Sequence, residues 1–160
     1  MQCMDISSLD LRKSDLRKTK LSGLDFSNMD LTGANLSGVS LKGSNFNGAI
    51  LRNANLSGAQ MDGFRDKHNK LSIVNIVGAD LRGADLSKAS LRQADFTGSN
   101  LTNANLSGAI LRNACFRNSI LSEANLEGAD LSKVFFAGSN MKGANFNHTD
   151  CQGIKFNGTE

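Results

Sequence analysis

Residues 78–91 read GADLRGADLSKASL, a five-residue unit, Ala-Asp-Leu-x-x, that begins again as soon as it ends. Carried in both directions, the frame reaches both ends of the chain. Its apolar centres fall at Ile6, Leu11, Leu16, Leu21, Phe26, Leu31 and every fifth residue to Phe156. With Met1 there are 32 such positions; 31 hold Leu, Phe, Met, Ile or Cys, and Asp66 is the exception. Two residues before the centre a small side chain recurs, as at Ala34, Ala54, Ala84, Ala104, Ala124 and Ala144. One before it, Asp or Asn fills 19 of the 31 available positions. Two after it lie all 16 glycines, with Asn28, Asn53, Asn103, Asn113 and Asn118 in five more of these places. Gly and Asn tolerate the positive φ that a type II turn needs at its third residue. A period of five matches neither the helical 3.6 nor the alternating 2.0. It matches short extended pieces joined by tight corners, coiled and stacked on copies of themselves.

The repeated A-[DN]-L-x-x resembles the pentapeptide-repeat family over nearly all of residues 5–158. The resemblance implies an all-β fold, a right-handed quadrilateral parallel β-helix with four pentads per coil, and hence about 7–8 coils here. It also implies that the centre and the small residue two before it face inward. The physics of the unit agrees. One pentad buries one large side chain and cannot offset an ordering entropy of about 1–2 kcal/mol per residue. Coils stacked at roughly 4.8 Å set each centre on the next, and each buried Leu or Phe then contributes about 1.5–3 kcal/mol. The expected product is a rod on the order of 35–40 Å long.

The whole chain, 1–160, reads as one domain with a columnar core. Residues 1–30 form a looser opening, because Met4, Leu9, Leu24 and Met29 stand where later pentads have Ala. Arg12, Lys13, Arg17, Lys18 and Lys20 cluster there against Asp5, Asp10 and Asp15. They read as a solvated rim that protects an open edge, or as a patch for an acidic partner. An uncovered solenoid end also makes end-to-end association an open option. The net charge of +3, from 18 basic and 15 acidic residues, is too weak a bias to argue for nucleic acid. The N-terminus has no apolar h-region and no apolar run nears 18 residues, so neither signal peptide nor membrane span is expected. A cytoplasmic protein is the default, with secretion as an effector open because the family includes bacterial effectors. Cys151 sits at a centre and is expected as a small core residue, whereas Cys115 takes an Asp/Asn place nearer the surface. With Cys3, these three are odd in number and have neither metal-ligand spacing nor a disulfide framework.

The repeat breaks at Met61-Asp-Gly-Phe-Arg-Asp-Lys-His-Asn-Lys70, where a buried Asp66 would be costly. Ten residues looped out near 62–71 would align Phe26, Phe46, Ile76, Phe96, Phe116, Phe136 and Phe156 in one column. Residues 25–46 also match 95–116 at 11 of 22 positions, an offset of 70 that becomes three whole coils after such a loop. A shorter echo, GAILRNA at 48 and 108, has an offset of 60 and needs no loop. The longer match and the aromatic column favour the loop. Phe64, Arg65, Asp66, Lys67, His68 and Lys70 are then the candidate partner-binding residues, since loops on rigid scaffolds concentrate recognition. A tolerated insertion is the plainer alternative.

Chemistry is otherwise nearly absent. His68 and His148 are isolated, and the Asp residues recur because they suit the place before the centre. The Leu-Ser-Gly recurrences are corners, not nucleophile elbows. Gly-rich spacing lacks the strand-to-helix context of a phosphate loop. No enzyme, cofactor, metal or small-molecule substrate is expected. The leading expectation is a non-catalytic rigid scaffold for protein–protein interaction. The alternative, drawn from the resemblance, is a DNA-mimicking protein that protects a type II topoisomerase (DNA gyrase) from quinolones. Two departures count against it: the net charge is positive, and the C-terminal dimerisation segment of those members is missing.

Overall fold

The computed structural model describes residues 6, 8–65 and 67–157; Cys3, Met4 and Asp66 lie outside them. Regular pentads inside the stack use their amide hydrogens in a recurring pattern, seen at residues 34–38. Ala34 N–H closes a β-turn onto the Leu31 carbonyl at 2.9 Å. Asn35 N–H reaches Ser14 O in the coil below at 2.8 Å, and Leu36 N–H reaches Asn55 O in the coil above at 2.7 Å. Gly38 N–H also points upward, to Ser57 O at 2.9 Å. The fifth, Ser37 N–H, donates to the Asn35 side-chain Oδ1 at 3.2 Å. The preference for Asp or Asn before each centre thus has a cause: its side-chain oxygen takes the one backbone donor that neither turn nor neighbouring coil accepts. Asp30 serves Thr32, Asp95 serves Thr97 and Asn125 serves Glu127 in the same way.

The corner residue, two after the centre, holds a left-handed backbone. Gly33 has φ 69°, and Asn53, Lys88, Glu123 and His148 adopt 53–59° there. Positive φ at the third turn residue with negative φ at the second makes these type II turns. At several corners a non-glycine leans over a glycine one coil up. The Asn28 amide covers Gly48, Asn53 covers Gly83 and Asn118 covers Gly138. Such a glycine is needed for space as well as for φ.

Successive coils pair by parallel bridges offset by twenty residues, from Asp15 with Asn35 to Phe135 with Lys155. Four pentads per coil make the right-handed quadrilateral β-helix. The offset steps to thirty at Asn45 with Asn75, Ile50 with Asp80, Asn55 with Asp85 and Gln60 with Ser90, then returns to twenty. Ten residues therefore leave the coil once. Met61 and Gly63 still donate to Ser90 O and Arg92 O above them, and Val74 O accepts from Asp95 N. The excursion consequently runs from 64 to 73.

Four columns of centres fill the interior. Phe26 stacks on Phe46 at 4.9 Å between centroids, Phe96 on Phe116 at 4.6 Å and Phe116 on Phe136 at 5.3 Å, with Ile76 between the two groups. Where serine replaces the inward small residue, its hydroxyl returns to a backbone carbonyl. Ser99 donates to Phe96 O and Ser119 to Phe116 O, each at 2.6 Å. No buried side-chain polar atom among the described residues lacks a partner. Near the first coil, larger residues leave an apolar cavity of about 340 Å³ lined by Leu9, Leu11, Leu16, Leu24 and Phe26.

One core assignment is overturned. Cys151 is exposed. Its place in the pentad is inward, but it belongs to the last described coil, and among the described residues no further coil covers it.

Candidate functional site

The residues that leave the coil form a β-hairpin. Strands β1 (Phe64–Arg65) and β2 (Leu71–Ser72) pair antiparallel, with Phe64 opposite Ser72 and Arg65 opposite Leu71. The hairpin closes through a turn at residues 67–68 and Asn69 in the left-handed region, φ 61°. Arg65 Nη1 donates to Asn69 O at 2.9 Å, tying the first strand to the tip. Asn supplies that φ at small cost and so permits the reversal without glycine.

The root of the hairpin is fixed from two sides. Above it, the Asp62 carboxylate accepts the Ser90 hydroxyl at 2.8 Å and the Arg92 backbone N–H at 3.0 Å, and pairs with Arg92 Nη1 at 3.3 Å. Ser90 stands where most pentads have Asp or Asn, so Asp62 supplies from the coil below the acceptor that Arg92 N–H would otherwise lack. Below it, the edge of the Phe64 ring occupies the space that a side chain at Gly43 would need. Phe64 still keeps 39% of its surface exposed.

The six residues expected to bind a partner divide accordingly. Phe64 is half contact surface and half anchor. Arg65 holds the tip while remaining exposed, and Lys67, His68 and Lys70 are also exposed. Asp66 lies outside the described residues. Leu71, 39% exposed on the paired strand, lies within the expected loop but was left out of the candidate residues, since it falls on a centre position. The period alone gives no sign that a centre has left the coil.

Other surface features do not merge with the hairpin. Ile50 and Ile120 share a face, but Asp80 and Asn100 stand between them in the bridge ladder. Phe135, on another face, makes cation–π contacts with Arg117, Cζ at 5.6 Å, and Lys155, Nζ at 5.0 Å from its ring centroid. Cys115 is half-buried. Among the described residues no group of His, Cys, Asp or Glu is placed to hold a metal ion, and no helix is long and apolar enough to cross a membrane.

Ion pairs pattern the outer surface. Asp10 and Asp15, each held by the guanidinium two residues on, have carboxyls lowered to about 2, chiefly through hydrogen bonds from Arg12 and Arg17. Asp80 lies much deeper. Hydrogen bonds from Arg82 first, and from Arg52 in the coil below, hold its carboxyl far under the ordinary carboxylate range. Sequence reading passed over this pair. The usable signal was that Arg52 and Arg82 both follow a centre directly and fall on one face once ten residues leave the coil.

The family model for pentapeptide repeats matches in 8 copies, over residues 10–48, 30–65, 79–118 and 119–158. No curated protein matches the chain. Among solved structures the chain is similar to HetL, a pentapeptide repeat protein involved in heterocyst differentiation regulation in the cyanobacterium Nostoc sp. strain PCC 7120. That pair has 27% identity, 94% of this chain and 84% of that one covered, and a TM-score of 0.48. It is also similar to QnrB1, a plasmid-mediated fluoroquinolone resistance protein, at 24% identity, 92% and 86% coverage and a TM-score of 0.48. A thylakoid-lumen pentapeptide repeat protein of Arabidopsis thaliana, AT2G44920, has 33% identity, 78% and 66% coverage and a TM-score of 0.38.

Proposed function

The chain belongs to the pentapeptide-repeat family, and on that premise we propose that it is a non-catalytic scaffold for protein–protein interaction whose contact element is the hairpin at 64–73. One observation carries the reading. Among the described residues this is the single excursion from a lattice that otherwise repeats its outward geometry coil after coil. Its register sets the partly exposed Leu71 beside Arg65 on one face and the partly exposed Phe64 on the other, with Lys67 and Lys70 exposed nearby. An apolar side chain next to an exposed charge is a combination that protein contacts use. Its root is braced by Asp62 and Gly43, so the element is held ready and loses little entropy on docking.

The topoisomerase-protecting alternative gains no support from the surface. A duplex mimic needs a dominantly acidic face, and here the net charge is +3 with arginines spread along the rod.

The test is partner capture with two forms of the protein. Joining Gly63 directly to Val74 removes the hairpin while keeping the coil phase. Proteins captured by the intact chain and lost with the spliced one support the hairpin as the contact. An identical set captured by both forms sinks that assignment.

A further inference from the structure

On the face that carries Leu51 and Leu81, successive coils place Arg52 and Arg82 side by side over a single carboxylate. Asp80 Oδ2 accepts Arg52 Nε at 2.6 Å and Arg82 Nη2 at 2.7 Å, while its Oδ1 accepts Arg82 Nε at 2.8 Å. Elsewhere among the described ion pairs each arginine has a carboxylate to itself: Arg12 with Asp10, Arg17 with Asp15, Arg92 with Asp62, Arg112 with Asp130. Only here do two guanidinium groups share one. The cluster keeps an uncompensated positive charge, and its geometry is fixed from beneath by a group only 20% exposed.

The two arginines remain 48% and 46% exposed. Asp80 engages Arg52 through Nε and Arg82 through Nε and Nη2, so neither Arg52 terminal nitrogen nor Arg82 Nη1 is used by the carboxylate. These donors border an open hollow of about 360 Å³ completed by Asn53, Gly83, Thr102 and Asn103. Asn53 leans over Gly83, so a neutral amide rather than a competing charge lies beside the guanidinium pair. Guanidinium spacing set by the roughly 4.8 Å coil repeat already suits a carboxylate on its inner side. The outer side offers the same donors to a second one.

We propose that Arg52 and Arg82 form a docking point for a carboxylate side chain of an acidic segment of a partner protein. The proposal rests on the scaffold reading but not on the hairpin, which is a different surface element.

The experiment follows Arg Nε–Hε resonances of the intact protein during titration with a hexaglutamate peptide and, separately, with inorganic phosphate. Saturable shifts confined to Arg52 and Arg82 with the peptide are expected. Arg52→Gln and Arg82→Gln should each weaken the peptide by about tenfold, as loss of a charge-assisted contact predicts. Arg112→Gln, which removes an arginine that has its own carboxylate, should leave affinity unchanged. Equal weakening by Arg112→Gln, or shifts spread over all arginines, would reduce the effect to general charge and overturn the site. Phosphate binding as tightly as the peptide would overturn the carboxylate assignment. Because hairpin removal leaves these residues in place, failure here and failure of the hairpin reading are separable.

Discussion

Phe116 and Phe156 occupy the same column two coils apart, yet Phe116 is wholly buried and Phe156 is 47% exposed. Both stack on Phe136, at 5.3 and 5.7 Å. The difference is the coil above. Phe116 is covered on both sides, whereas Phe156 belongs to the last described coil. Cys151 and Phe146 repeat the contrast against Leu131 and Leu126 one coil earlier. In this fold burial belongs to the neighbouring coil as much as to the residue, so stability is nearest-neighbour in character.

The largest effect follows from that contrast. Phe116→Ala should cost about 3–5 kcal/mol, the usual penalty for emptying a packed aromatic site. Phe156→Ala should cost about 1 kcal/mol or less, since half of its surface gains nothing from folding. Urea titration measures both. Similar losses at the two sites would break the nearest-neighbour account.

The excursion at 64–73 provides the next test, because it interrupts the stack from within. Joining Gly63 to Val74 restores an interior corner, x-Gly-Val-Asn-Ile, and should leave stability within about 0.5 kcal/mol of the intact chain. Deleting 62–71 removes the same number of residues but puts Ile73 where the lattice demands positive φ. A β-branched residue there is a steric outlier, and the cost should be on the order of 2 kcal/mol. Equal stability of the two deletions would mean that the corner at this coil does not need its glycine.

These contrasts also mark what the sequence could show. The columns were legible because each inward position repeats at a fixed interval, and thirty-one of thirty-two centres agree. What escaped depends on neighbours that the period does not encode. Cys151 has the pattern of a core residue without the covering coil. Leu71 keeps its place in the count of five while its backbone leaves the stack. Phe64 looks like a free loop aromatic, and only the three-dimensional path brings it over Gly43. The sharing of Asp80 likewise needs the coil phase, since Arg52 and Arg82 become neighbours only after ten residues are removed. For the candidate site, composition identified the segment and its charges but not which residues brace it.

Corners sharpen the comparison at smaller scale. Gly48 and Gly98 both have φ near 67°. The Asn28 amide lies over Gly48, whereas nothing stands within 4 Å of a side chain added at Gly98. Gly98→Ala should therefore cost only the left-handed backbone penalty of about 1 kcal/mol. Gly48→Ala must also displace Asn28 and should cost about 2 kcal/mol. In the double variant Asn28→Gly with Gly48→Ala, the excess should disappear. A persistent excess would place its cause outside that contact.

The smallest effect is electrostatic and contrasts the middle of the stack with its first coil. Asp80, two-guanidinium-bound and 20% exposed, has a folded-state carboxyl far below its unfolded value. Asp10 is more exposed and has one arginine, with its carboxyl lowered to about 2. A depressed carboxylate contributes stability that is fully present above the unfolded pKa, near 4, and is lost as pH falls toward the folded value. The unfolded chain takes up its proton first, so acid favours unfolding. Exposed pairs contribute little of this because water screens them, so the acid-side slope between pH 4 and 2 should come more from Asp80. Urea midpoints across that range should fall less steeply for Asp80→Asn than for the unaltered protein. Asp10→Asn should follow the unaltered curve. If the two substitutions flatten the slope equally, the shared carboxylate confers no advantage over a simple surface pair, and the central ion cluster is energetically no different from the rim.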